Sequence, residues 1–418
     1  MEDYYKYLIV GASAAGMAAA HTIRQYDRDS SIGIFTDEMD SPYFRPLIPF
    51  LISGKKKASD MFMTGSGLYV EKDISINTGM RVAGLNISAK QISLSNRSTV
   101  SWDKILLATG SSPFMPYNIE GLDTQGVFAL RTLSDARLMA KLVEQSNQVV
   151  MLGGGILNLK TAFAFLEKGL KVTLVVYSPE VLSQLMEPED ALLIRKALDE
   201  AGLDIITGVN VTAVQSEKGK VKSVILDNGV ELPCQMVCVG KGVKPNVDFL
   251  ADSKISVNKG IVADTYTACN VPDVYTAGDV AVTFDPISGT PMQTALWTNA
   301  VEMGRCAGKN MAGIKTAYSG TFGILNATQV ADVPFVSMGT VHINQTDLEV
   351  YRYHTDKSYR KLIFSADGNQ LLGAVFVGNI QNAGLYRYVI REKMKTNHIK
   401  QYIIDHRLHY GHLLIRNV

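Results

Sequence analysis

The sequence has few cysteines, no long apolar run and almost no net charge. Its 418 residues include 4 cysteines, and 41 Lys and Arg residues stand against 40 Asp and Glu residues. A nearly neutral chain gives no reason to expect nucleic acid or an anionic membrane as a partner. No apolar run reaches the roughly 20 residues of a membrane-spanning helix, and the first residues are charged and polar, unlike a signal peptide. We therefore expect a cytoplasmic protein with no membrane span.

The spacing of the cysteines argues against a thiol redox pair. Cys234 and Cys238 lie in the segment 232–239, which the sequence predicts to be one strand. Four residues along a strand span roughly 13 Å, which is too far for a disulfide. Cys269 and Cys306 each stand alone. We expect buried, apolar cysteines, and no thiol relay for electrons.

A strand, a glycine turn and a small-residue helix open the chain. The strand Tyr7-Leu8-Ile9-Val10 leads into Gly11-Ala12-Ser13-Ala14-Ala15-Gly16. Such a turn brings the backbone close to a pyrophosphate, which the helix N-terminus then stabilises. Ser13 replaces the middle glycine with a small side chain. An acidic residue roughly 20 positions later should hold a ribose hydroxyl, and either Asp37 or Glu38 can do so.

The same construction returns about 140 residues later in a modified form. Val149-Val150-Met151-Leu152 leads into Gly153-Gly154-Gly155, and Asn158 stands in place of the third glycine. The next strand ends in Val176-Tyr177-Ser178, which offers no acid for a ribose and is followed closely by no arginine for a 2′-phosphate. Losing a ribose hydrogen bond costs on the order of 1–3 kcal/mol, or roughly 10- to 100-fold in affinity. Two interpretations of this second unit are therefore compatible with the sequence: it binds NADH weakly, or it is a vestigial lobe kept for packing.

The order of these segments predicts an α/β fold. We expect two Rossmann-like nucleotide-binding domains, for FAD and NAD(P), followed by a C-terminal α+β domain. The predicted FAD-binding domain is discontinuous, at 1–113 and 246–318. The NAD(P)-binding-like domain is expected at 114–245, and the dimerisation or docking domain at 319–418.

Several further motifs allow a family to be named. Ala108-Thr109-Gly110, the turn Thr276-Ala277-Gly278-Asp279 and the two glycine motifs, in this order, resemble the pyridine nucleotide-disulfide oxidoreductase superfamily. The segments 41–48, 296–300 and 371–378 resemble its rubredoxin reductase and nitrite reductase flavin-domain branch. The resemblance covers nearly the whole chain.

The resemblance implies non-covalent FAD and a set of residues around it. Asp279 would bind the ribityl chain, Arg45 and Pro46 would line the flavin, and Arg131 would reach the cofactor. The whole expected set on the FAD side comprises Gly11, Ser13, Ala14, Ala15, Gly16, Asp37, Glu38, Arg45, Pro46, Val82, Ala108, Thr109, Gly110, Arg131, Gly278, Asp279 and Trp297. Gly153 and Gly155 would hold the second nucleotide, NAD(H) or NADP(H).

No catalytic residue is identified, but four side chains are candidates for positions near the flavin: Arg45, Phe50, Lys160 and Trp297. Pro49-Phe50 stands where the branch often has a lysine, and Lys160 where it usually has a glutamate near the nicotinamide. His406, His409 and His412 lack a carboxylate or cysteine cluster to complete a metal site, so no metal is expected.

The leading functional hypothesis is an FAD-dependent oxidoreductase that transfers electrons between NAD(P)H and an iron–sulfur or rubredoxin-like protein. The alternative is an FAD-carrying electron-transfer subunit of a larger redox complex, with a degenerate NAD site. An NADH oxidase or peroxide reductase is disfavoured by the missing nucleophilic cysteine. We expect a homodimer or a subunit of a complex.

Overall fold

A computed structural model describes residues 3–63, 73–287, 289–320, 324–343 and 347–414. The chain divides into two compact units. Unit 1 comprises Met1–Phe114, Arg131–Ala136 and Gly242–Thr321, and unit 2 comprises Met115–Leu130, Arg137–Lys241 and Phe322–Val418. Over the residues described, no helix combines the length and the apolar character needed to cross a bilayer.

The first segment of unit 1 is built around a mixed sheet of parallel and antiparallel strands. Its strands are β1 Tyr4–Val10, β2 Ile32–Phe35, β3 Ile74–Asn77, β4 Val82–Asn86, β5 Gln91–Leu94, β6 Thr99–Leu107 and β7 Ser111–Pro113. Its α-helices are α1 Ala14–Tyr26 and α2 Ile48–Ile52, and short 3-10 helices lie at Arg45–Leu47 and Ala58–Met61. The strand order is β3-β2-β1-β6-β5-β4, with β1, β2 and β3 parallel and β4 to β6 antiparallel. Helix α1 connects the parallel strands β1 and β2, which gives the strand–helix–strand arrangement expected for a nucleotide-binding lobe, and β1 also runs parallel to β6.

Unit 2 contains a parallel sheet. The strands here are β8 Val127–Phe128, β9 Gln148–Leu152, β10 Lys171–Val176, β11 Asp204–Thr207, β12 Val211–Glu217, β13 Lys220–Leu226, β14 Glu231–Pro233 and β15 Met236–Val239. Helix α3 Leu133–Val143 begins in the Arg131–Ala136 segment of unit 1 and continues in unit 2, whose other helices are α4 Ile156–Leu166, α5 Leu192–Glu200 and a 3-10 helix at Pro188–Ala191. The sheet order β11-β10-β9-β15-β8 is parallel throughout.

The single strand predicted for residues 232–239 is wrong. Strand β14 pairs antiparallel with β13 in a small sheet, whereas β15 joins the parallel sheet, and the chain passes between them at Cys234 and Gln235. The side chain of Gln235 accepts hydrogen bonds of 3.0 Å from the amides of Asn147 and Gln148, which fixes the crossing.

The chain then returns to unit 1. Here the strands are β16 Val243–Pro245, β17 Ile261–Val262, β18 Val274–Thr276, β19 Ala281–Phe284 and β20 Pro291–Gln293; the helices are a 3-10 turn Asp248–Leu250 and α6 Trp297–Met311. Strand β18 pairs parallel with the last residues of β6 and so completes the first sheet. Helix α6 packs closely on α1, because Gly304 has no side chain: a Cβ there would lie 2.2 Å from the carbonyl oxygen of Ala15.

The last segment, within unit 2, forms an antiparallel sheet in the order β21-β22-β25-β24-β23. These strands are β21 Leu325–Val330, β22 Val333–Gly339, β23 Glu349–Thr355, β24 Ser358–Phe364 and β25 Leu371–Val377, followed by α7 Ala383–Arg391, α8 Lys400–Ile404 and α9 Tyr410–Leu414. Lys361 of β24 is fully buried and forms ion pairs with Asp190 and, at 2.9 Å, with Glu187. These ion pairs tie the C-terminal sheet to the segment that follows β10. The predicted α/β fold with a C-terminal α+β segment is confirmed.

Candidate functional site

The glycine turn after β1 leaves the start of α1 open. Gly11 has a φ of +113°, and a Cβ there would lie 2.1 Å from the carbonyl oxygen of Ala108, so only glycine fits. Ser13 is the N-cap residue of α1, but its side chain makes no capping bond, and no acidic residue lies in the first turn. The first-turn residues Ala14, Ala15 and Gly16 are buried or nearly so. An uncapped helix start without a carboxylate can accept an anion.

Arg45 lies beside this turn. Its Nε donates to Ser13 Oγ at 3.1 Å, one terminal nitrogen donates to the carbonyl of Arg131 at 2.9 Å, and the other forms an ion pair with Glu38. The hydroxyl of Tyr43 donates to the same carboxylate at 2.5 Å. Burial alone would lower the pKa of the Arg45 guanidinium, but the Glu38 carboxylate raises it. A charged guanidinium, paired with the Glu38 carboxylate, is therefore fixed next to the open helix start.

A second charged pair lies around Asp279, after β18. Arg131 donates to Asp279 Oδ2 at 2.8 Å, and Ser111 Oγ donates to the same oxygen at 3.0 Å. The amide nitrogen of the Gln293 side chain donates to the Asp279 backbone carbonyl at 2.6 Å. Gly110 lies beside this pair, since its Cβ position is 3.6 Å from the Arg131 guanidinium.

The turn after β6 is held by Asn246. The side-chain nitrogen of Asn246 donates to the backbone carbonyl of Thr109 at 2.9 Å. In return, Thr109 Oγ1 donates to the backbone carbonyl of Asn246 at 2.8 Å. The amide of Asn246 also donates to the carbonyl of Gly110 at 3.0 Å. The Thr109–Gly110 turn is thus fixed in place beside the Asp279 pair.

The other residues expected on the FAD side are more dispersed. Trp297 is half-buried, with its ring 6.0 Å from that of Phe44, and Gly278 is buried against Ala15. Pro46 and Asp37 are exposed, and Phe50 is 36% exposed. Val82 packs into the hydrophobic core on the β4 side of the sheet.

The second glycine turn, in unit 2, has the same shape as the first. Gly153 has a φ of +103°, and a Cβ there would lie 2.4 Å from the carbonyl oxygen of Gly240. Gly155 is the N-cap residue of α4, with open space around it; α4 has no capping side chain and no acid in its first turn. This turn therefore also leaves an open helix start.

Asn158, at the third glycine position, is accommodated. It is buried and donates from Nδ2 to the carbonyls of Leu152 and Gly153, each at 2.8 Å. Its side chain occupies the space that glycine leaves at residue 240, where a Cβ would lie 2.3 Å from it. With asparagine instead of glycine at position 158, two side-chain hydrogen bonds to the end of β9 and its glycine turn replace the close contact between α4 and β9. The local strand–turn–helix geometry is therefore retained.

The end of β10 offers no ribose acceptor near this turn. Val176 is buried, with a methyl group 3.2 Å from the Cβ position of Gly154, so it occupies the place of an acid facing the turn. Glu180 is buried and already accepts from the amide of Val181 at 2.8 Å. Lys160, on α4, is half-buried, and desolvation lowers its pKa.

All four cysteines are free thiols, and three of them are buried. Burial raises the pKa of Cys234 and of Cys269 to about 12, and it also raises the pKa of Cys238 and of Cys306. A protonated thiol is a poor nucleophile, so none of the four is set up for dithiol chemistry.

Sequence reasoning missed several contributors. Ser111 binds Asp279 from 168 residues away and Gln293 from 14 residues away, and no sequence motif marked either of them. Tyr43 lies in the segment 41–48 without a predicted role, although Arg45 and Glu38 close by in the sequence made a polar cluster predictable. Asn246 binds the Thr109–Gly110 turn from 137 residues further along the chain, so no local pattern marked that role either.

Comparisons with known proteins agree with this geometry. Residues 5–304 match the family model described as pyridine nucleotide-disulphide oxidoreductase, and residues 325–394 match the rubredoxin NAD+ reductase C-terminal domain.

Full-length relatives and a solved structure extend the match. The chain is 29% identical over 413 residues to the NADH-dependent phenylglyoxylate dehydrogenase subunit epsilon of Aromatoleum evansii, covering 98% of this chain and 97% of that protein. It is 28% identical over 310 residues to the rubredoxin-NAD(+) reductase of Ectopseudomonas oleovorans, covering 74% and 80%. A ferredoxin reductase from Rhodopseudomonas palustris shares the fold, with a TM-score of 0.84 at 23% identity over 94% of this chain and 96% of that one. This chain belongs to the pyridine nucleotide-disulphide oxidoreductase family and is an FAD-dependent oxidoreductase.

Proposed function

We propose that this chain transfers electrons between NAD(H) and a protein-bound iron–sulfur or rubredoxin-like centre. The observation that carries the proposal is the pair of glycine turns, at Gly11 and Gly153, each opening an uncapped helix with no acid in its first turn. One chain thus offers two anion-binding helix starts of the same design. Bound FAD would supply the conversion between two-electron and one-electron transfer that such a reaction requires.

We assign the FAD contacts to the residues around the first turn. The amides at the start of α1, together with Arg45, would bind the pyrophosphate. Asp279 would hold the ribityl chain, because both protein hydrogen bonds to its carboxylate fall on Oδ2, and Oδ1 has no partner in the described part of the chain. A ribose hydroxyl would bind Asp37 or Glu38. Exposed Asp37 is available, whereas Glu38 is already bound by Arg45 and Tyr43.

We assign nicotinamide nucleotide binding to the second turn, at reduced affinity. Gly153, Gly155 and the start of α4 would hold the pyrophosphate, and the missing acid at Val176 would weaken the hold on the ribose. We also keep the domain assignment made from the sequence: FAD-binding at 1–113 and 246–318, NAD(P)-binding-like at 114–245, and dimerisation or docking at 319–418.

The acceptor would receive electrons by direct contact with the protein. Because burial raises the pKa of the Cys234 and Cys269 thiols, we expect no electron relay through cysteines. One relative is named rubredoxin-NAD(+) reductase, which supports a small redox protein as the partner. The segment Lys55-Lys56-Lys57, in which Lys55 and Lys57 are exposed, could steer an acidic partner. Four free cysteines suit a reducing compartment, so we propose a cytoplasmic protein that works as a homodimer or within a complex.

The acceptor assignment is tested by reducing the purified flavoprotein anaerobically and adding oxidised rubredoxin or a two-iron ferredoxin. We expect the acceptor's visible spectrum to bleach within seconds, and more slowly as salt is added. If the reduced flavin passes its electrons to small dyes but not to rubredoxin or the two-iron ferredoxin, the assignment of a protein acceptor of this class is contradicted.

A second candidate is an FAD-carrying subunit whose second lobe no longer accepts nicotinamide. The end of β10 favours it, since Val176 fills the acid's place and Ser178 is bonded to Ser183 at 2.9 Å. The relative named as subunit epsilon of a dehydrogenase supports a role within a complex, although its name also includes NADH dependence. Reduction by NADH separates the two candidates.

A further inference from the structure

A cavity of about 640 Å³ lies in the C-terminal segment, away from both glycine turns in sequence. Strands β23 and β24 form one side of it, and the residues after α8 form another. Its lining contains three arginines, Arg352, Arg360 and Arg407, against one carboxylate, Asp405. Cationic side chains therefore outnumber acidic ones in the lining, although Glu187 and Glu189 pair with Arg352 from outside it.

The three arginines differ in how they are occupied. Arg407 is bound to Asp405 at 2.6 Å, and Arg352 lies 3.3 Å from Glu189. Arg360 donates one hydrogen bond, of 2.6 Å, to the carbonyl of Ile404. Within the residues that the structure describes, no carboxylate lies within ion-pair distance of Arg360.

Arg360 is half-buried, and burial lowers its pKa. One face of its guanidinium is covered by the ring of Tyr353, whose centroid lies 5.3 Å away. A guanidinium has five N–H donors, and only one of them is engaged by a protein acceptor here. A bound anion would accept hydrogen bonds from the guanidinium and so offset the free-energy cost of its partial burial.

We propose that this cavity binds a small organic anion with a flat apolar body, of the aromatic carboxylate class. The guanidinium fork of Arg360 matches a carboxylate in bidentate geometry. Tyr353 and Ile404 supply aromatic and apolar surface for the ring. The volume falls in the range of roughly 300–1,000 Å³ that is usual for small-molecule sites.

Calorimetric titration of the full-length flavoprotein with sodium benzoate tests this site. We expect saturable binding of one benzoate per chain in the millimolar range or tighter. Neutral benzamide should bind at least about 10-fold more weakly, because it cannot form the charged pair, and so should acetate, which has no ring.

Two variants and a matched control locate the binding. Arg360→Met should weaken benzoate binding about 10-fold or more. Lys357→Met removes one positive charge from the exposed turn of the same hairpin, outside the cavity lining, and should leave binding unchanged. Tyr353→Leu changes a side chain that is 54% exposed, so it keeps the fold and should weaken benzoate binding several-fold.

Three results would overturn the proposal: no saturable benzoate binding, equal affinity for benzamide, or unchanged affinity in a folded Arg360→Met variant. If Arg360→Met does not fold, unchanged affinity in Tyr353→Leu overturns it instead.

Discussion

Arg131 and Asp279, which are 148 residues apart in the sequence, are joined by a hydrogen-bonded ion pair of 2.8 Å. Both side chains are mostly buried, with 23% and 14% exposed. The Arg131 and Ser111 hydrogen bonds both fall on Oδ2, so they hold the carboxylate in one orientation, and we propose that Oδ1 accepts a hydrogen bond from the cofactor. The pair therefore places a pre-oriented acceptor in the lobe that contains the first glycine turn.

Asp279→Ala should lose FAD. The variant removes the proposed ribityl acceptor and leaves Arg131 without its carboxylate, so we expect flavin content after gel filtration to fall from about one per chain to a small fraction. The ratio of flavin to protein absorbance measures this. Asp252→Ala, which changes an exposed carboxylate in the same unit, is the control and should keep its flavin. Full flavin content in a folded Asp279→Ala protein would remove Asp279 from the site.

Asn158→Gly should destabilise the protein, although it restores the glycine pattern. Asn158 donates to two carbonyls at the end of β9, and a glycine would lose both bonds and add flexibility to α4. The free energy of unfolding in urea should fall by about 2–3 kcal/mol. The apparent affinity for NADH should not improve. An unchanged unfolding free energy would show that the two hydrogen bonds contribute little.

Val176→Glu should strengthen NADH binding. Val176 faces the glycine turn, so a carboxylate there can accept from the adenosine ribose, and we expect the apparent Kd to fall about 10-fold. Tyr177→Glu adds the same charge at the adjacent residue, whose side chain is 65% exposed, and should have little effect. Equal improvement in both variants would point to a general effect of charge.

A variant with all four cysteines replaced by alanine should still reduce its flavin and its acceptor. Because burial raises the pKa of Cys234 and of Cys269 to about 12, these thiols stay protonated at pH 8, with a thiolate fraction of about one in ten thousand. Some stability should be lost at the buried positions. Stopped-flow flavin reduction and acceptor turnover are the readouts. A cysteine-free enzyme that holds FAD but cannot pass electrons on would require a thiol relay.

The sequence predicted what is local. Strand, glycine turn and small-residue helix are contiguous, so the turns at Gly11 and Gly153 and the Rossmann-like lobes could be read directly. Compensation between distant residues could not be predicted: Asn158 fits only because residue 240 is glycine, and Ser111 reaches Asp279 only through the fold. The burial of Lys361 could not be predicted either, because a lysine in a strand normally indicates a solvent-exposed position. Lys361 is buried because it forms ion pairs with Glu187 and Asp190, which lie far away in the sequence.

One measurement tests the proposed functions of both lobes together. The purified flavoprotein is titrated with NADH under anaerobic conditions while the visible absorption of the flavin is recorded. We predict that NADH bleaches the flavin, with a midpoint in the upper micromolar to millimolar range, because the second turn is intact and the ribose acceptor is missing. Dithionite added to a parallel sample shows that the flavin can be reduced. A flavin that stays oxidised at millimolar NADH, yet is reduced by dithionite, would contradict the account and assign the chain to the flavin-carrying subunits that do not use nicotinamide.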